Sequence, residues 1–253
     1  MSRVIASRII DIFKETMLET DFKESLKRFH GYSDEAYIRL MEHLELVQRI
    51  NQETNITGIT DLEKALYLHV YDSLLGLEAL LRADQGRFAD IGSGAGYPGI
   101  PLAIFSGRTC TLIESSKKKA AILEGIVSRL DLTDRITVKP IRAEEEAKEN
   151  PNDYTAVCAR AVGALASLME LACPLLEQNG LLIVYKGPDY SKELQTIDTL
   201  TKILGLELES IEETTIPIPT MEVKRTIITL RKTGEPSIEL PRAIGKAQNK
   251  PIA

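Results

Sequence analysis

Apolar positions along the chain recur at two different spacings, and the change of spacing divides the sequence. Up to about residue 82 they recur at helical spacing, as from Tyr37 to Val47, and Ser33 is placed to cap that helix. From residue 88 to residue 204, short apolar runs alternate with amphipathic stretches. This alternation predicts a parallel sheet with helices on both faces. The fold class is therefore α/β, with an N-terminal helical extension.

The predicted elements can be placed along the whole chain. Strands are predicted at residues 88–91, 109–113, 136–141, 154–159 and 181–185. Besides the helix after Ser33, helices are predicted at residues 4–18, 21–29, 61–81, 115–130, 165–177 and 192–204. A short helix is also predicted after the glycines that follow the first strand.

The end of the chain departs from this alternation. Residues 206–217 and 223–231 are strand-like and have no helix between them, so they must pair as an antiparallel hairpin. A parallel sheet closed by such a hairpin is the arrangement of S-adenosylmethionine-dependent methyltransferases, whereas the dinucleotide-binding sheet is all parallel. The predicted domains are a helical extension packed on the core (1–82), a Rossmann-like class I methyltransferase domain (83–232) and a basic C-terminal tail (233–253).

A glycine-rich turn follows the first predicted strand. Glycines allow positive φ and a close approach of the backbone to a ligand, although a turn can also need them only for packing. The motif GAGYPG that begins at Gly94 fits the dinucleotide pattern GxGxxG, and GSGAG that begins at Gly92 fits the methyltransferase pattern GxGxG. In both interpretations Glu114, which lies 20 residues after Gly94, would end the second strand and bind ribose hydroxyls.

Composition excludes several other classes of protein. The 253 residues are 43% hydrophobic and 27% charged, with no apolar run long enough to span a membrane, and the charged N-terminus is not that of a signal peptide. Three distant cysteines (Cys110, Cys158 and Cys173) indicate reduced thiols in the cytoplasm, neither a disulfide framework nor a zinc site. No second histidine stands close enough to His69 to suggest a metal. We interpret His69 as a hydrogen-bond partner of Asp72, three residues later on the same helical face.

Charge is distributed unevenly along the chain. Residues 224–253 hold seven Lys or Arg against two Glu, a net +5, so the other 223 residues carry −11 of the total −6. A basic tail on an acidic body is compatible with a nucleic-acid partner and equally with a solvated tail.

Several motifs together resemble the ribosomal RNA small subunit methyltransferase G family, also called the glucose-inhibited division protein B family. They are, in order, the segments beginning at Asn55 (NIT), His69 (HVYDS), Asp90 (DIGSGAGYPGIP), Glu114 (ES), Arg142 (RAE), Ala159 (ARA) and Lys186 (KG). The resemblance covers roughly residues 40–231. Two features depart from the family pattern: Glu114 stands where Asp is common, and the tail is poorer in proline and arginine.

The resemblance implies an activity and a site. The family methylates N7 of a guanine in 16S ribosomal RNA with S-adenosylmethionine as cofactor. Carried over by position, its cofactor contacts would be Gly92, Tyr97, Ala143, Glu144 and Arg160, to which the glycine-turn argument adds Gly94 and Glu114. The partner would be 16S ribosomal RNA or the small ribosomal subunit, and we expect a cytoplasmic monomer without a metal.

The catalytic residues are not identified by the motifs, and Lys186 and His69 are candidates. With Tyr97 and the basic tail, they are also candidates for the RNA side of the site. The tail is predicted to aid RNA binding and not cofactor binding. Two alternatives from other classes remain at this point: a nicotinamide-dependent oxidoreductase on a Rossmann sheet, and a catalytically silent binding module that kept the glycine turn.

Overall fold

The structure is a computed structural model that describes residues 17–252. The helix predicted over residues 4–18 therefore lies outside the described residues, except for its last two. Helix α1 (17–26) overlaps the second predicted helix, and its Phe22 and Leu26 are fully buried.

The N-terminal helices confirm one predicted element and correct another. Helix α2 (Asp34–Thr54) begins as predicted at Ser33, whose hydroxyl accepts the Ala36 N–H at 3.0 Å. The single helix predicted over residues 61–81 is wrong. The chain instead forms α3 (Leu62–Ala65), a π-helical turn (Leu66–Tyr71), α4 (Asp72–Leu74) and α5 (Leu77–Arg82). The gap before α5 holds Gly76, where a Cβ would lie only 2.2 Å from the Tyr185 hydroxyl oxygen, so packing against the sheet shapes this break.

The remainder of the chain alternates strands and helices as predicted. The strands are β1 (Phe88–Ile91), β2 (Cys110–Ile113), β3 (Ile136–Lys139), β4 (Tyr154–Arg160), β5 (Leu176–Lys186), β6 (Leu206–Ile216) and β7 (Val223–Lys232). The helices are α6 (Gly99–Ser106), α7 (Lys117–Arg129), α8 (Ala143–Glu149), α9 (Leu165–Ala172), α10 (Ile197–Leu204) and α11 (Lys246–Asn249).

The strands form one seven-stranded sheet in the order β3-β2-β1-β4-β5-β7-β6. The first five strands are parallel, and β7 pairs antiparallel with both β5 and β6. Ile216 faces Val223 at the end of the β6–β7 ladder, so the predicted hairpin is confirmed. The order reverses between β1 and β4, and in such a sheet ligands bind beyond the carboxyl ends of the strands at this point.

Each face of the sheet has its own hydrophobic core. Along β4, Ala156 and Cys158 face one core, whereas Val157 and Ala159 face the other, which is the two-residue period of a strand buried on both sides. The first core contains α1, α2, the π-helical turn and α5 together with α6 and α7. The second contains α8 to α11. The N-terminal helices thus complete one layer of the domain.

Two predicted helix boundaries are wrong. The helix predicted over residues 165–177 ends at Ala172, because Leu176 already pairs with Tyr154 and begins β5. The helix predicted from residue 192 is a 3₁₀ helix (Pro188–Thr196) that continues into α10.

The C-terminal tail predicted without periodic structure packs against the second core. Arg242 donates two hydrogen bonds to the carboxylate of Glu170, and Ala247 on α11 is buried. Among the helices within residues 17–252, none combines the length and the apolar character needed to cross a membrane.

Candidate functional site

The glycine turn after β1 has the geometry for which glycine is needed. Gly92, Gly94 and Gly96 have φ values of +70°, +57° and +90°. A Cβ on Gly92 would lie 2.6 Å from Val162, whereas a Cβ on Gly94 would meet only a backbone oxygen at 3.9 Å. The backbone is therefore open at Gly94, beyond the carboxyl end of β1.

Glu114, which follows β2, fixes this turn. Its two carboxylate oxygens accept the backbone N–H groups of Gly94 at 3.0 Å and Ser116 at 2.8 Å. Each carboxylate oxygen has two lone pairs, so both retain the capacity to accept a further hydrogen bond. The structure thus brings Gly94 and Glu114, which lie 20 residues apart in the sequence, into direct contact beyond the carboxyl ends of β1 and β2.

A narrow cavity of about 50 Å³ lies beside the turn. Its lining includes Gly92 from the β1 turn, Ala143 from α8 and Gln248 from α11. Glu144 does not line this cavity: it is buried, and its Oε1 accepts the Gly245 N–H at 2.7 Å. Its Oε2 is buried and has no hydrogen-bond partner among residues 17–252. The structure thus places Ala143 at the cavity and Glu144 beneath the C-terminal segment.

Asp90, inside β1, is a buried acid beneath the turn. Its Oδ2 accepts the Gly99 N–H at 3.0 Å, which fixes the start of α6. Burial raises the pKa of Asp90 to about 7, against the hydrogen bond from Gly99 and the charge of Arg160, which lower it.

Tyr97 lies in a stack of rings between two histidines. Its ring centroid is 4.6 Å from that of His69, with the planes 8° apart, and 4.4 Å from that of His43. The Arg160 guanidinium lies 5.7 Å from the same centroid, within reach of a cation–π interaction. Tyr97 is among the cofactor contacts that the resemblance implies, and the structure holds its ring against His43, His69 and Arg160.

Both histidines of the stack are neutral at pH 7. Burial lowers the pKa of His43 to about 4, and burial with the nearby charge of Arg160 lowers that of His69 to about 3. The hydrogen bond predicted between His69 and Asp72 is wrong, since His69 Nε2 lies 2.9 Å from the Thr57 hydroxyl. The π-helical turn changes the spacing that an α-helix would give these two residues.

Asp72 instead binds two arginines. Arg160 Nη1 donates to its Oδ2 at 2.9 Å, and Arg225 donates from Nε and Nη2 at 2.6 and 2.7 Å. Arg160 also donates to the Leu68 carbonyl at 2.9 Å. The sequence singled out Arg160 but missed Arg225, which enters the site from β7 and has no motif that marks it.

A larger cavity, of about 550 Å³, lies beyond the carboxyl ends of β4 and β5. Its lining brings together His69, Asp72, Arg160, Lys186 and Arg225. Both predicted catalytic candidates therefore line one cavity, with Arg160 from the predicted cofactor set. Three cations and one carboxylate give its wall a positive balance that suits a phosphate-bearing substrate.

Lys186 ends β5 at this cavity. Its ammonium group donates to the Gly163 carbonyl and to Glu193 Oε2, each at 2.7 Å. The first bond reaches the loop that follows β4, and the second reaches the 3₁₀ helix that follows β5. Within residues 17–252, no group of three or more His, Cys, Asp or Glu side chains is arranged to hold a metal ion.

Residues 37–221 match the sequence profile of a family described as rRNA small subunit methyltransferase G. The chain belongs to this family. A ribosomal RNA small subunit methyltransferase G of Nostoc punctiforme is 35% identical over 216 residues, which is 82% of this chain and 87% of that one. Its namesake in Thermotoga petrophila is 36% identical over 199 residues, covering 78% and 84% of the two chains.

Solved structures show the same fold at low identity. The [4+2]-cyclase SpnF has a TM-score of 0.53 at 15% identity and covers 81% of this chain and 97% of its own. A geranyl diphosphate methyltransferase in complex with S-adenosylmethionine has a TM-score of 0.51 at 10% identity, covering 65% and 85%. The predicted class I S-adenosylmethionine-dependent methyltransferase fold is confirmed.

Proposed function

We propose that the chain transfers a methyl group from S-adenosylmethionine to N7 of a guanine in 16S ribosomal RNA. Membership of the small-subunit methyltransferase G family supports the RNA and the class of reaction. The observation that best supports this cofactor is the glycine turn after β1. Its backbone is open at Gly94, and the Gly94 N–H donates to Glu114. Family membership supports neither of the two alternatives, a nicotinamide-dependent oxidoreductase and a silent binding module.

The residues around the turn fit this cofactor. Glu114 has lone pairs left for ribose hydroxyls, and Gly94 leaves room for a close backbone approach. Gly92 and Ala143 would bind the adenosine portion at the narrow cavity, with Glu144 holding the wall behind them. Tyr97 and Arg160 would border the methionine portion. S-adenosylmethionine supplies an electrophilic methyl group on a positively charged sulfonium, and the carboxylate of Glu114 beside the glycine turn favours that charge.

The larger cavity is the place for the target guanosine. Arg160 lines it and also lies against Tyr97, so the two halves of the site meet at this arginine. Lys186 and Arg225 carry the charge that would attract the ribose-phosphate backbone. Catalysis is then mainly positioning and exclusion of water.

Attack by guanine N7 agrees with what the site offers. N7 has a free lone pair and no proton to lose, so no general base is needed, and a neutral His69 with a pKa of about 3 is a poor one. A cysteine nucleophile, as used for carbon-5 methylation, is also excluded at Cys158, since burial raises the pKa of its thiol well above the ordinary value. The Asp/Asn-Pro-Pro-Tyr motif of amino-group methyltransferases is absent after β4.

The position of N7 on the guanine base also limits the form of the RNA partner. N7 lies in the major groove, which side chains cannot enter in A-form RNA, so the target guanine lies in a loop or an opened helix. The chain would act on 16S ribosomal RNA or the small subunit as a cytoplasmic monomer. Its functional divisions would be the helical extension (1–82), the methyltransferase domain (83–232) and the C-terminal segment (233–253).

Two measurements on the purified chain test this function. Isothermal titration is expected to show binding of S-adenosylmethionine and S-adenosylhomocysteine and no binding of NADH. Labelled methyl groups are then expected to enter 16S RNA or small subunits that lack this modification. Binding of NADH alone would support the oxidoreductase, and cofactor binding without transfer to either substrate would support a silent module.

A further inference from the structure

The C-terminal segment 243–249 contributes one residue, Gln248, to the lining of the narrow cavity beside the glycine turn. Gln248 lines this cavity with Gly92, Ile113 and Ala143, although it is remote from all three in the sequence. Its neighbour Ala247 is buried in the second core, so the segment is part of the packed structure.

Polar contacts hold the segment in this position. The Gly245 N–H donates to Glu144 Oε1 at 2.7 Å, and Glu144 is buried. Upstream of the segment, Arg242 pairs with the buried Glu170 and donates to the Lys250 carbonyl at 2.9 Å. An ionised carboxylate is costly to bury without a partner, so both acids favour the docked segment.

The contact of Gln248 is weaker than these. Its Oε1 accepts from Arg142 Nη1 at 3.4 Å, near the limit of a hydrogen bond, and the side chain is exposed. A glutamine amide carries two donor hydrogens and an acceptor oxygen. A purine and a ribose also present hydrogen-bond donors and acceptors. The Gln248 amide can therefore give up its hydrogen bond to Arg142 and bond to an adenosine instead.

We propose that Gln248 is a further cofactor-contacting residue and that segment 243–249 forms the outer wall of the adenosine pocket. This rests on the proposed use of S-adenosylmethionine. The cavity of about 50 Å³ is far below the roughly 300 Å³ at which ligand pockets begin, so the wall moves outward when the cofactor enters. Gly245, with φ of +77° at the start of α11, is the joint at which it turns. The hydrogen bond from Arg242 to the Lys250 carbonyl spans this joint and opens when the wall moves.

The test compares Gln248→Ala with Gln85→Ala, an exposed glutamine before β1, at the edge of the sheet opposite the glycine turn. Isothermal titration with S-adenosylhomocysteine is expected to give about 5- to 10-fold weaker binding for Gln248→Ala, the loss of one hydrogen bond, and unchanged binding for Gln85→Ala. Arg242→Ala, which removes the anchor to Glu170 and to the Lys250 carbonyl, is expected to weaken binding at least as much, and Arg129→Ala, at the exposed end of α7, is its matched control. Hydrogen exchange of residues 243–249 is expected to slow when S-adenosylhomocysteine binds.

The possible outcomes separate this proposal from the proposed function. If the unmodified chain fails to bind S-adenosylhomocysteine, the cofactor assignment itself fails. If the unmodified chain binds, but Gln248→Ala and Arg242→Ala bind equally well and exchange is unchanged, the wall is refuted and the methyltransferase stands. Loss of RNA affinity alone in Arg242→Ala would instead support the RNA-binding tail that the sequence predicts.

Discussion

The rings of His69 and Tyr97 stack with their centroids 4.6 Å apart and their planes 8° apart. His69 comes from the π-helical turn of the N-terminal extension, and Tyr97 comes from the glycine turn of the sheet domain. The stack therefore joins the N-terminal helices to the turn that follows β1, and its His69 also lines the larger cavity. It also buries the Tyr97 hydroxyl, which has no hydrogen-bond partner in the described part of the chain.

We predict that the Tyr97 ring is needed for the site and that its hydroxyl is not needed for stability. Tyr97→Phe keeps the stack and removes a buried, unpaired hydroxyl, so its free energy of unfolding should be unchanged or higher. Tyr97→Ala leaves a cavity between His43 and His69 and should lower that free energy by ~3–5 kcal/mol. Urea unfolding measures both variants. Equal destabilisation by the two would contradict the role given to the ring.

We predict that the protein loses stability as the pH falls below about 6.5, where an unfolded histidine titrates. The pKa values of His43 and His69 are about 4 and about 3 in the fold, so between these values and 6.5 the unfolded state binds protons that the folded state does not. Asp90 acts in the opposite direction, because its pKa in the fold, about 7, lies above the ordinary value of 3.8. Its contribution to stability is fully present below pH 3.8 and is lost as the pH rises through 7. The two histidines together change the free energy of unfolding more than the one aspartate does, so the net stability falls as the pH falls.

Urea unfolding at about pH 5 and about pH 7 tests this balance. His69→Gln should reduce the loss of stability between the two pH values, and Asp90→Asn should increase it. A chain that is equally stable or more stable at the lower pH would show that the buried histidines do not determine how stability changes with pH in this range.

We predict that Glu114→Gln weakens S-adenosylhomocysteine binding by ~1–3 kcal/mol, because it removes the charge of a hydrogen-bonded carboxylate. The carboxylate also fixes the N–H groups of Gly94 and Ser116, so thermal unfolding should be followed in parallel. Glu124→Gln, on the exposed side of α7, is the matched control. Unchanged affinity in a folded Glu114→Gln chain would rule out the ribose contact.

We predict that Lys186→Ala slows methyl transfer and leaves S-adenosylhomocysteine affinity nearly unchanged. Lys186 lines the larger cavity, on the side assigned to the RNA, and is absent from the lining of the narrow one. Lys192→Ala removes an exposed lysine of the adjoining 3₁₀ helix and serves as control. An equal loss of cofactor affinity and transfer rate would place Lys186 on the cofactor side.

Much of this site could be predicted from the sequence, because local residue patterns specify it. Positive φ at Gly92, Gly94 and Gly96 requires glycine, so the turn could be read directly. Alternating strands and helices then placed Glu114 beside it, since the carboxyl ends of parallel strands share one edge of the sheet. The hairpin of β6 and β7 followed from two strand-like runs with no helix between them.

The remaining contacts could not be predicted because they join distant segments. Arg225 meets Asp72 across 153 positions of sequence, and neither residue has a local pattern that marks the other as its partner. The docking of the C-terminal segment depends on the backbone N–H of Gly245, which carries no side-chain signal. Packing of Tyr185 against Gly76 likewise determines where the predicted helix over residues 61–81 breaks.

Guanine N7, the proposed methylated atom, has a direct chemical test. A methyl group at N7 places a positive charge on the purine and makes its imidazole ring labile, so borohydride reduction followed by aniline cuts the RNA there. Small subunits or 16S RNA treated with the chain and S-adenosylmethionine should be cut at one guanine, and the same substrate treated with Arg160→Ala should not. Incorporation of labelled methyl groups without an aniline-sensitive site would contradict the assignment of guanine N7.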